Sequence, residues 1–257
     1  MELQSILFSQ GFGTRRVCFG LIQQGHVAVF ERPDARDPRI CLEATAWFDP
    51  EGLRFRVQGA DWHYAEKAYL MMNKPAGTEC SHKPSAHPSV YSLLPPQLRQ
   101  RPQKGGLQGV QAVGRLDQDT TGLLLLTDDG QFLHRMNSPK QHMPKVYAVT
   151  LRHPARASQL DALLQGVVLD DDPRPVRAQS CVQVSDCQLH LTLTQGKYHQ
   201  VKRMIAAVGN RVEALHRFQV GALNLPQDLQ AGHWRWLSPA ELTLATTLPA
   251  QDWTGEE

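Results

Sequence analysis

The sequence predicts an α+β protein, because strand-like and helix-like patterns follow one another without a regular βαβ alternation. In the first thirty residues, apolar side chains recur at the spacing of helices. Further along, Leu189, Leu191 and Leu193 alternate with polar residues, which is typical of a half-buried strand. With 257 residues, 41% of them hydrophobic and 20% charged, the chain can form one large or two unequal globular domains.

The N-terminal residues are predicted to form a helix, a turn, a second helix and a short strand. Leu3, Ile6 and Leu7 have the i, i+3, i+4 spacing of one helix face. Thr14 is suited to cap the second helix, since its hydroxyl can accept from a free backbone N–H. Residues 26–30 then have the composition of a strand.

The remaining chain alternates between strands, helices and loops. A strand is predicted to end near Pro75, and others to cover the leucine run at 123–126 and the segment KVYAVTL at 145–151. Apolar residues at helical spacing predict a helix over 201–208. The stretch 95–109, rich in proline and glycine, is predicted to be an exposed, mobile loop.

The helix and strand patterns weaken around residues 58–66, which predicts a domain boundary there. The predicted division is a small N-terminal domain over 1–60, a linker over 61–67, a larger domain over 68–245 and a flexible tail over 246–257.

The composition argues against a membrane protein and against a metal site. No apolar run approaches the roughly 20 residues that span a bilayer, and the N-terminus lacks the order of a signal peptide. The five cysteines form no C-x-x-C pair, and the eleven histidines show no zinc-type spacing. We therefore expect a cytoplasmic protein with reduced thiols, no metal and no membrane partner.

The net charge of +2 is too small to establish a polyanionic partner, but its distribution is uneven. Between residues 193 and 220, five lysines and arginines face one acid, Glu213. Such a cluster favours phosphate binding, although a solvated basic face has the same composition.

Four aspartates occur in the segment GRLDQDTTGLLLLTDDG. Asp128 and Asp129 follow the leucine run and fit a turn and a helix N-cap. Asp119 fits a local turn. Asp117 lies two residues after Arg115, and a nearby cation keeps a carboxylate ionised, so Asp117 is either half of a structural pair or a nucleophile or general base.

This segment closely resembles the signature motif of ribosomal RNA pseudouridine synthases of the RsuA type. AYLMMNKPAGTECS (68–81) resembles the first motif of that family, and SPKQHMPKVYAVTL (138–151) its lysine-tyrosine strand. LTLTQGKYHQVKRMIAAVGNRVEALHR (191–217) resembles the C-terminal motif, in the form found in the branch that modifies 16S rRNA. The four ordered motifs cover most of residues 68–237.

The resemblance implies the pseudouridine synthase fold, a mixed and mostly antiparallel sheet with a central RNA-binding cleft. It also implies a small α/β RNA-binding domain in front, although the family's usual opening Leu-Asp-Lys is Leu3-Gln4-Ser5 here. The implied activity is conversion of one uridine of 16S rRNA, uridine 516 in the usual bacterial numbering, to pseudouridine without a cofactor. The implied partner is ribosomal RNA, either alone or in an assembling small subunit, bound by a monomer.

The resemblance also assigns roles to single residues. Asp117 matches the catalytic aspartate, Tyr147 the ring that stacks on uracil, and Lys202 the cation that keeps the aspartate ionised, with Arg203 as runner-up. Arg115 is expected to fill the space left by the extruded base or to grip the adjacent phosphate. Further RNA contacts are expected from Lys74, Lys145, Lys197, Arg203, Arg211, Arg15 and Arg16.

Three other functions remain open at this point. A synthase of the same family could modify 23S rRNA instead, and a decayed synthase could serve as a non-catalytic ribosome assembly factor. A glycoside hydrolase could use Asp117 and Asp119 as its two carboxylates, but both would lie on one short loop, and the chain has no obvious aromatic sugar platform.

Overall fold

The computed structural model describes residues 1–32, 34–103, 109–170 and 172–248, which form two compact units. Residues 104–108 of the predicted loop and 249–257 of the predicted tail lie outside the described residues. The first unit comprises Met1–Ala68, Leu94–Gln111 and Thr127–Asp129, and the second Tyr69–Leu93, Ala112–Leu126 and the described part of Gly130–Glu257.

The first unit packs helices against a small antiparallel sheet of strand order β2-β1-β3-β4. Leu3, Ile6 and Leu7 are fully buried on one helix face, as their spacing predicts. The Thr14 hydroxyl accepts from the backbone N–H of Val17 at 3.3 Å, which confirms the predicted cap. The elements are α1 Leu3–Ser9, α2 Arg15–Gln23, β1 Val27–Val29, β2 Arg39–Ile40, β3 Arg54–Val57, β4 Ala60–His63 and α3 Pro96–Arg99.

The division into domains at residue 60 stays a prediction. The residues predicted to form the linker begin with the last three residues of β4, which pairs along its whole length with β3.

The prediction of an exposed loop over 95–109 is wrong for the part that the structure describes. Helix α3 lies in this stretch, and the side chain of Arg101 is buried. Its guanidinium donates to Asp128 Oδ2 at 2.5 Å, to Gln10 Oε1 at 2.8 Å and to the carbonyl of Ala65 at 2.7 Å. A buried charge is stable only when it is paired and hydrogen-bonded. Asp128 is the ionic partner of the buried Arg101, so it has a structural role beyond the predicted turn.

The second unit is built on a mixed, mostly antiparallel sheet of strand order β11-β12-β8-β13-β7-β5-β15 among the described residues, with β14 on β13 and β6 on β7. A separate hairpin pairs β9 with β10. The strands are β5 Tyr69–Lys74, β6 Gln111–Ala112, β7 Thr121–Thr127, β8 Lys145–Leu151, β9 Val167–Leu169, β10 Asp172–Val176, β11 Ser180–Ser185, β12 Gln188–Leu193, β13 Val212–Val220, β14 Leu223–Asn224 and β15 Trp234–Trp236.

Four α-helices complete this unit in the described part of the chain, together with short 3₁₀ turns at Val90–Leu93 and Pro139–Gln141. The four leucines of β7 are buried, and Leu123 and Leu125 pack with Phe132 and Met136 in one core. The helices are α4 Gly130–Asn137, α5 Ala157–Gln165, α6 Gln200–Ala207 and α7 Pro239–Thr246. The predicted fold class is confirmed, and none of the described helices is long and apolar enough to cross a bilayer.

The register of the central strands determines which residues are neighbours of Tyr147. Tyr147 of β8 is paired with Leu191 on one side and with Arg217 of β13 on the other. Arg217 is in turn paired with Gly122 of β7 in the parallel part of the sheet. Gly122 has a φ of +104°, and a Cβ there would lie 2.2 Å from the carbonyl oxygen of Arg217. The close approach of β7 and β13 therefore requires glycine.

We predict that Gly122→Ala destabilises the second unit by at least about 2 kcal/mol, since it adds both backbone strain and a clash with main chain. Gly130→Ala is the matched control, because its Cβ would meet no atom within 4 Å and it begins α4. Urea denaturation followed by circular dichroism measures both variants. Equal stability of the two variants would contradict the importance of this approach.

Candidate active site

A cleft of about 430 Å³ lies in the second unit. The loop before β7, the strand β8 and the start of α6 each contribute side chains to it. The cleft brings together six of the residues that the sequence singles out, which are Arg115, Asp117, Lys145, Tyr147, Lys197 and Lys202. Its size falls in the range of pockets that hold one small molecule, and therefore suits a single extruded nucleotide.

Lys202 of α6 joins the two aspartates of the loop before β7. Its ammonium lies 3.3 Å from Asp117 Oδ2 and donates a hydrogen bond to Asp119 Oδ1 at 2.6 Å. The side chains of Asp117 and Lys202 are 26% and 28% exposed, so bulk water screens this pair only in part. Asp119 was predicted to shape a turn, and the structure adds this ion pair to its role.

The charges of this cluster are reflected in the pKa values of two of its members. Partial burial opposes ionisation of Asp119, but the hydrogen bond and charge of Lys202 outweigh it and lower the pKa of Asp119. Partial burial likewise opposes the charge of Lys202, and the two carboxylates raise its pKa. The Lys202 ammonium and the Asp119 carboxylate therefore each favour the charged form of the other.

His199 is a member of the site that sequence reasoning missed. Its Nε2 lies 3.4 Å from Asp117 Oδ1, opposite the oxygen that faces Lys202. His199 has a left-handed backbone with φ of 48° at the N-cap of α6. Left-handed backbone at a residue other than glycine is uncommon and frequently occurs at functional sites. No spacing in the sequence signals this contact, because it forms only when α6 meets the loop of Asp117.

A tyrosine and two cations line the cleft from the central strands. Tyr147 is only 8% exposed, and it is paired with Arg217, whose Nε donates to the carbonyl of Leu123 at 2.9 Å. Lys145, two residues before Tyr147, donates to the carbonyl of Met143 at 3.0 Å. Burial, assisted by the charge of Arg217, lowers the pKa of Lys145 to about 8. Sequence reasoning counted Arg217 as part of a basic cluster but gave it no role in the site.

The structure corrects the expectation for Lys74. Its side chain is fully buried, and its ammonium donates to the carbonyls of Pro75, Gln118 and Thr120 at 3.0, 3.2 and 2.9 Å. All three protons are therefore used to fix the loop that carries Asp117, and none is available for a phosphate. Lys74 therefore stabilises the loop that carries Asp117 instead of contacting RNA.

Four other predicted residues lie outside the cleft, whereas Arg115 lines it; the four are Arg203, Arg211, Arg15 and Arg16. Arg203 donates to the carbonyl of Tyr198 at 3.1 Å, so Lys202 and not the runner-up pairs with Asp117. Arg211 pairs with Glu213, and Arg15 and Arg16 are exposed on α2 in the first unit. Arg115 is exposed in the cleft, and in the described part of the chain Asp117 pairs with Lys202 and contacts His199 instead.

The arrangement suits chemistry on a nucleotide unit of a polyanion. Five lysines and arginines line the cleft against the single carboxylate of Asp117, which favours phosphate binding. The Tyr147 ring offers a stacking surface, and Asp117 is a fixed carboxylate able to act as nucleophile or base. Within the described residues, no group of three or more histidine, cysteine or acidic side chains is placed to hold a metal ion.

Comparisons with known proteins also indicate an enzyme that acts on RNA. The RNA pseudouridylate synthase family matches residues 68–207. Ribosomal small subunit pseudouridine synthase A of Haemophilus influenzae is 41% identical to this chain, over 79% of this chain and 81% of that protein. An uncharacterized RNA pseudouridine synthase of Bacillus subtilis, YtzG, is 36% identical over 95% of this chain and 98% of the relative.

A solved structure extends the similarity to nearly the whole chain. The crystal structure of a pseudouridylate synthase aligns with a TM-score of 0.63 and 31% identity, over 95% of this chain and 99% of that one. The fold is thus that of an RNA-modifying isomerase. The chain belongs to the RNA pseudouridylate synthase family and, within it, to the RsuA type, which confirms the resemblance of its four motifs.

The shared ammonium gives a titration test of the site. Because Lys202 lowers the pKa of Asp119 below its ordinary value of 3.8, the pair stabilises the fold above that value, and the contribution is lost as the pH falls through the lower folded pKa. Lys202→Met removes the hydrogen bond and charge while burial remains, so we predict that the pKa of Asp119 rises.

NMR titration of the assigned Asp119 carboxyl carbon measures this shift. Lys83→Met is the matched control, since Lys83 is an exposed lysine that does not line the cleft. An Asp119 titration that is the same in Lys202→Met as in the unmodified protein would contradict the described geometry.

Proposed function

We propose that this enzyme converts one uridine of 16S rRNA, at the position equivalent to uridine 516, to pseudouridine. The observation that carries the proposal is the half-buried Asp117, held between Lys202 and His199 at a cleft lined by Tyr147. The 16S target is supported by relatives such as the Haemophilus influenzae and Escherichia coli proteins, which are named as small-subunit synthases. The residues GKYHQVKRM of the C-terminal motif also support it.

The reaction needs no group from outside the substrate. The N1–C1′ bond of the uridine breaks, the uracil turns while it is held, a C5–C1′ bond forms, and the proton on C5 leaves as N1 gains one. Asp117 either attacks C1′ or removes the C2′ proton, and each route requires it to be ionised. Lys202 pairs with this carboxylate and orients it, and the Tyr147 ring stacks on the uracil during its rotation.

Extrusion of the uridine requires a grip on the opened RNA. Unstacking and unpairing a base costs a few kcal/mol, so the enzyme must replace the lost stacking and neighbour contacts. Arg115 is exposed in the cleft and suits the vacated space or the adjacent phosphate. Lys145 and Lys197 also line the cleft and add phosphate contacts, which should weaken with salt.

The N-terminal residues are proposed to add RNA affinity. Arg15 and Arg16 are exposed on the second of two short helices, which rest on a small sheet. We propose residues 1–60, completed by the rest of β4, as an RNA-binding domain, the remainder of 61–67 as a linker and residues 68–245 as the catalytic domain. The enzyme would act as a monomer on ribosomal RNA or an assembling small subunit.

The test is tritium release from 16S rRNA labelled at C5 of uridine. We predict that Asp117→Asn abolishes release but retains the fold and RNA binding, since the amide keeps the shape and loses the charge. Asp119→Asn is the matched control, because it shares Lys202 but does not line the cleft. It should lose no more than about tenfold, which is about 1.4 kcal/mol of transition-state stabilisation.

Circular dichroism and filter binding check that both variants fold and bind RNA. Undiminished tritium release by Asp117→Asn would overturn the catalytic assignment. Release of free uracil instead of an isomerised nucleotide would indicate a glycoside hydrolase.

A further inference from the structure

Tyr198 presents a large aromatic ring to solvent beside the cleft. The residue is 72% exposed and belongs to the cleft lining, whereas Tyr147, which also lines the cleft, is 8% exposed. The Tyr198 ring stacks on the His199 imidazole, with ring centroids 3.8 Å apart and planes 20° apart. One face of the tyrosine is therefore covered, and the high exposure of the residue shows that most of its remaining surface is open.

The backbone beneath this ring is fixed in spite of the exposure. Arg203 donates from its side chain to the carbonyl of Tyr198 at 3.1 Å and from its backbone to the carbonyl of His199 at 3.0 Å. The buried Gln200 accepts from the backbone N–H of Lys197 at 2.9 Å. The position of the ring is thus set by α6 and its N-terminal turn, and binding of a base need not order a flexible loop.

The stack also connects to the reactive carboxylate, because His199 Nε2 lies 3.4 Å from Asp117 Oδ1. A path of direct contacts leads from the exposed ring through the imidazole to Asp117. A nucleotide chain that delivers a uridine to Asp117 therefore passes within reach of the Tyr198 ring.

We propose that Tyr198, supported by His199, is a stacking platform for the base next to the target uridine; this rests on the function proposed above. The target uracil stacks on the Tyr147 ring inside a cleft that suits one nucleotide, so its neighbour must find a more exposed surface of the cleft lining, such as the Tyr198 ring. That neighbour loses a stacking partner when the uridine is extruded. Exposed rings beside basic side chains supply such a surface in proteins that bind single-stranded RNA.

The test compares Tyr198→Leu, which removes the ring but keeps an apolar side chain, with Tyr198→Phe, which keeps the ring. Tritium release from labelled 16S rRNA gives kcat and KM for each. We expect Tyr198→Leu to raise KM about tenfold with a smaller change in kcat, since stacking of one base is worth about 1–3 kcal/mol. Tyr198→Phe should restore KM to within about twofold of the unmodified enzyme.

A binding arm tests the platform independently of catalysis. In the Asp117→Asn background, affinity for a single-stranded oligouridylate is measured by filter binding at several salt concentrations. Tyr198→Leu should bind about tenfold more weakly with an unchanged salt slope, because loss of stacking releases no counterions. Val184→Ala, an exposed apolar residue of β11 outside the cleft lining, should match the parent in both assays.

Several results would overturn the platform. These are unchanged KM and oligouridylate affinity in Tyr198→Leu, equal losses in Tyr198→Leu and Tyr198→Phe, or a loss confined to kcat. Failure of the unmodified enzyme to release tritium would overturn the proposed function instead, and the binding arm would still decide on the platform.

Discussion

The ammonium of Lys202 holds together two parts of the chain that are 83 residues apart, and the site depends on this contact. It pairs with both Asp117 and Asp119, so α6 and the loop before β7 are fixed against each other by charge. Two carboxylates this close would repel without a cation between them. Both also approach the same ammonium, which does not suit a glycosidase that needs a carboxylate on each side of the scissile bond.

The strands of the sheet position the remaining side chains of the site. Gly122 lets β7 approach the backbone of β13 closely, and the pairing of β13 with β8 places Arg217 next to Tyr147. Lys74 then fixes the turn before β7 by donating to its carbonyls from a fully buried position. Because its ammonium is buried and bonded to these carbonyls, Lys74 is a poor phosphate contact but stabilises the loop of Asp117. The loop that carries Asp117 is therefore held by Lys74 of β5 and by Lys202 of α6.

Local patterns in the sequence predict much of this molecule, but contacts between distant segments do not follow from them. The spacing of Leu3, Ile6 and Leu7 and the cap at Thr14 are properties of neighbouring residues, and the structure confirms both. Asp117 and Lys202 could be paired only through the resemblance of their motifs. The contact of His199 and the buried pair of Arg101 and Asp128 have no local signal, since each forms between segments far apart in sequence.

The most direct measurement of the central claim is a map of the pseudouridines in both large ribosomal RNAs. Chemical modification and primer extension would be applied to RNA from a strain that lacks this protein and from the same strain carrying the intact gene. We predict that a single pseudouridine, at the equivalent of uridine 516 in 16S rRNA, disappears with the gene and returns with it. Loss of a pseudouridine from 23S rRNA alone, or from neither RNA, would contradict it.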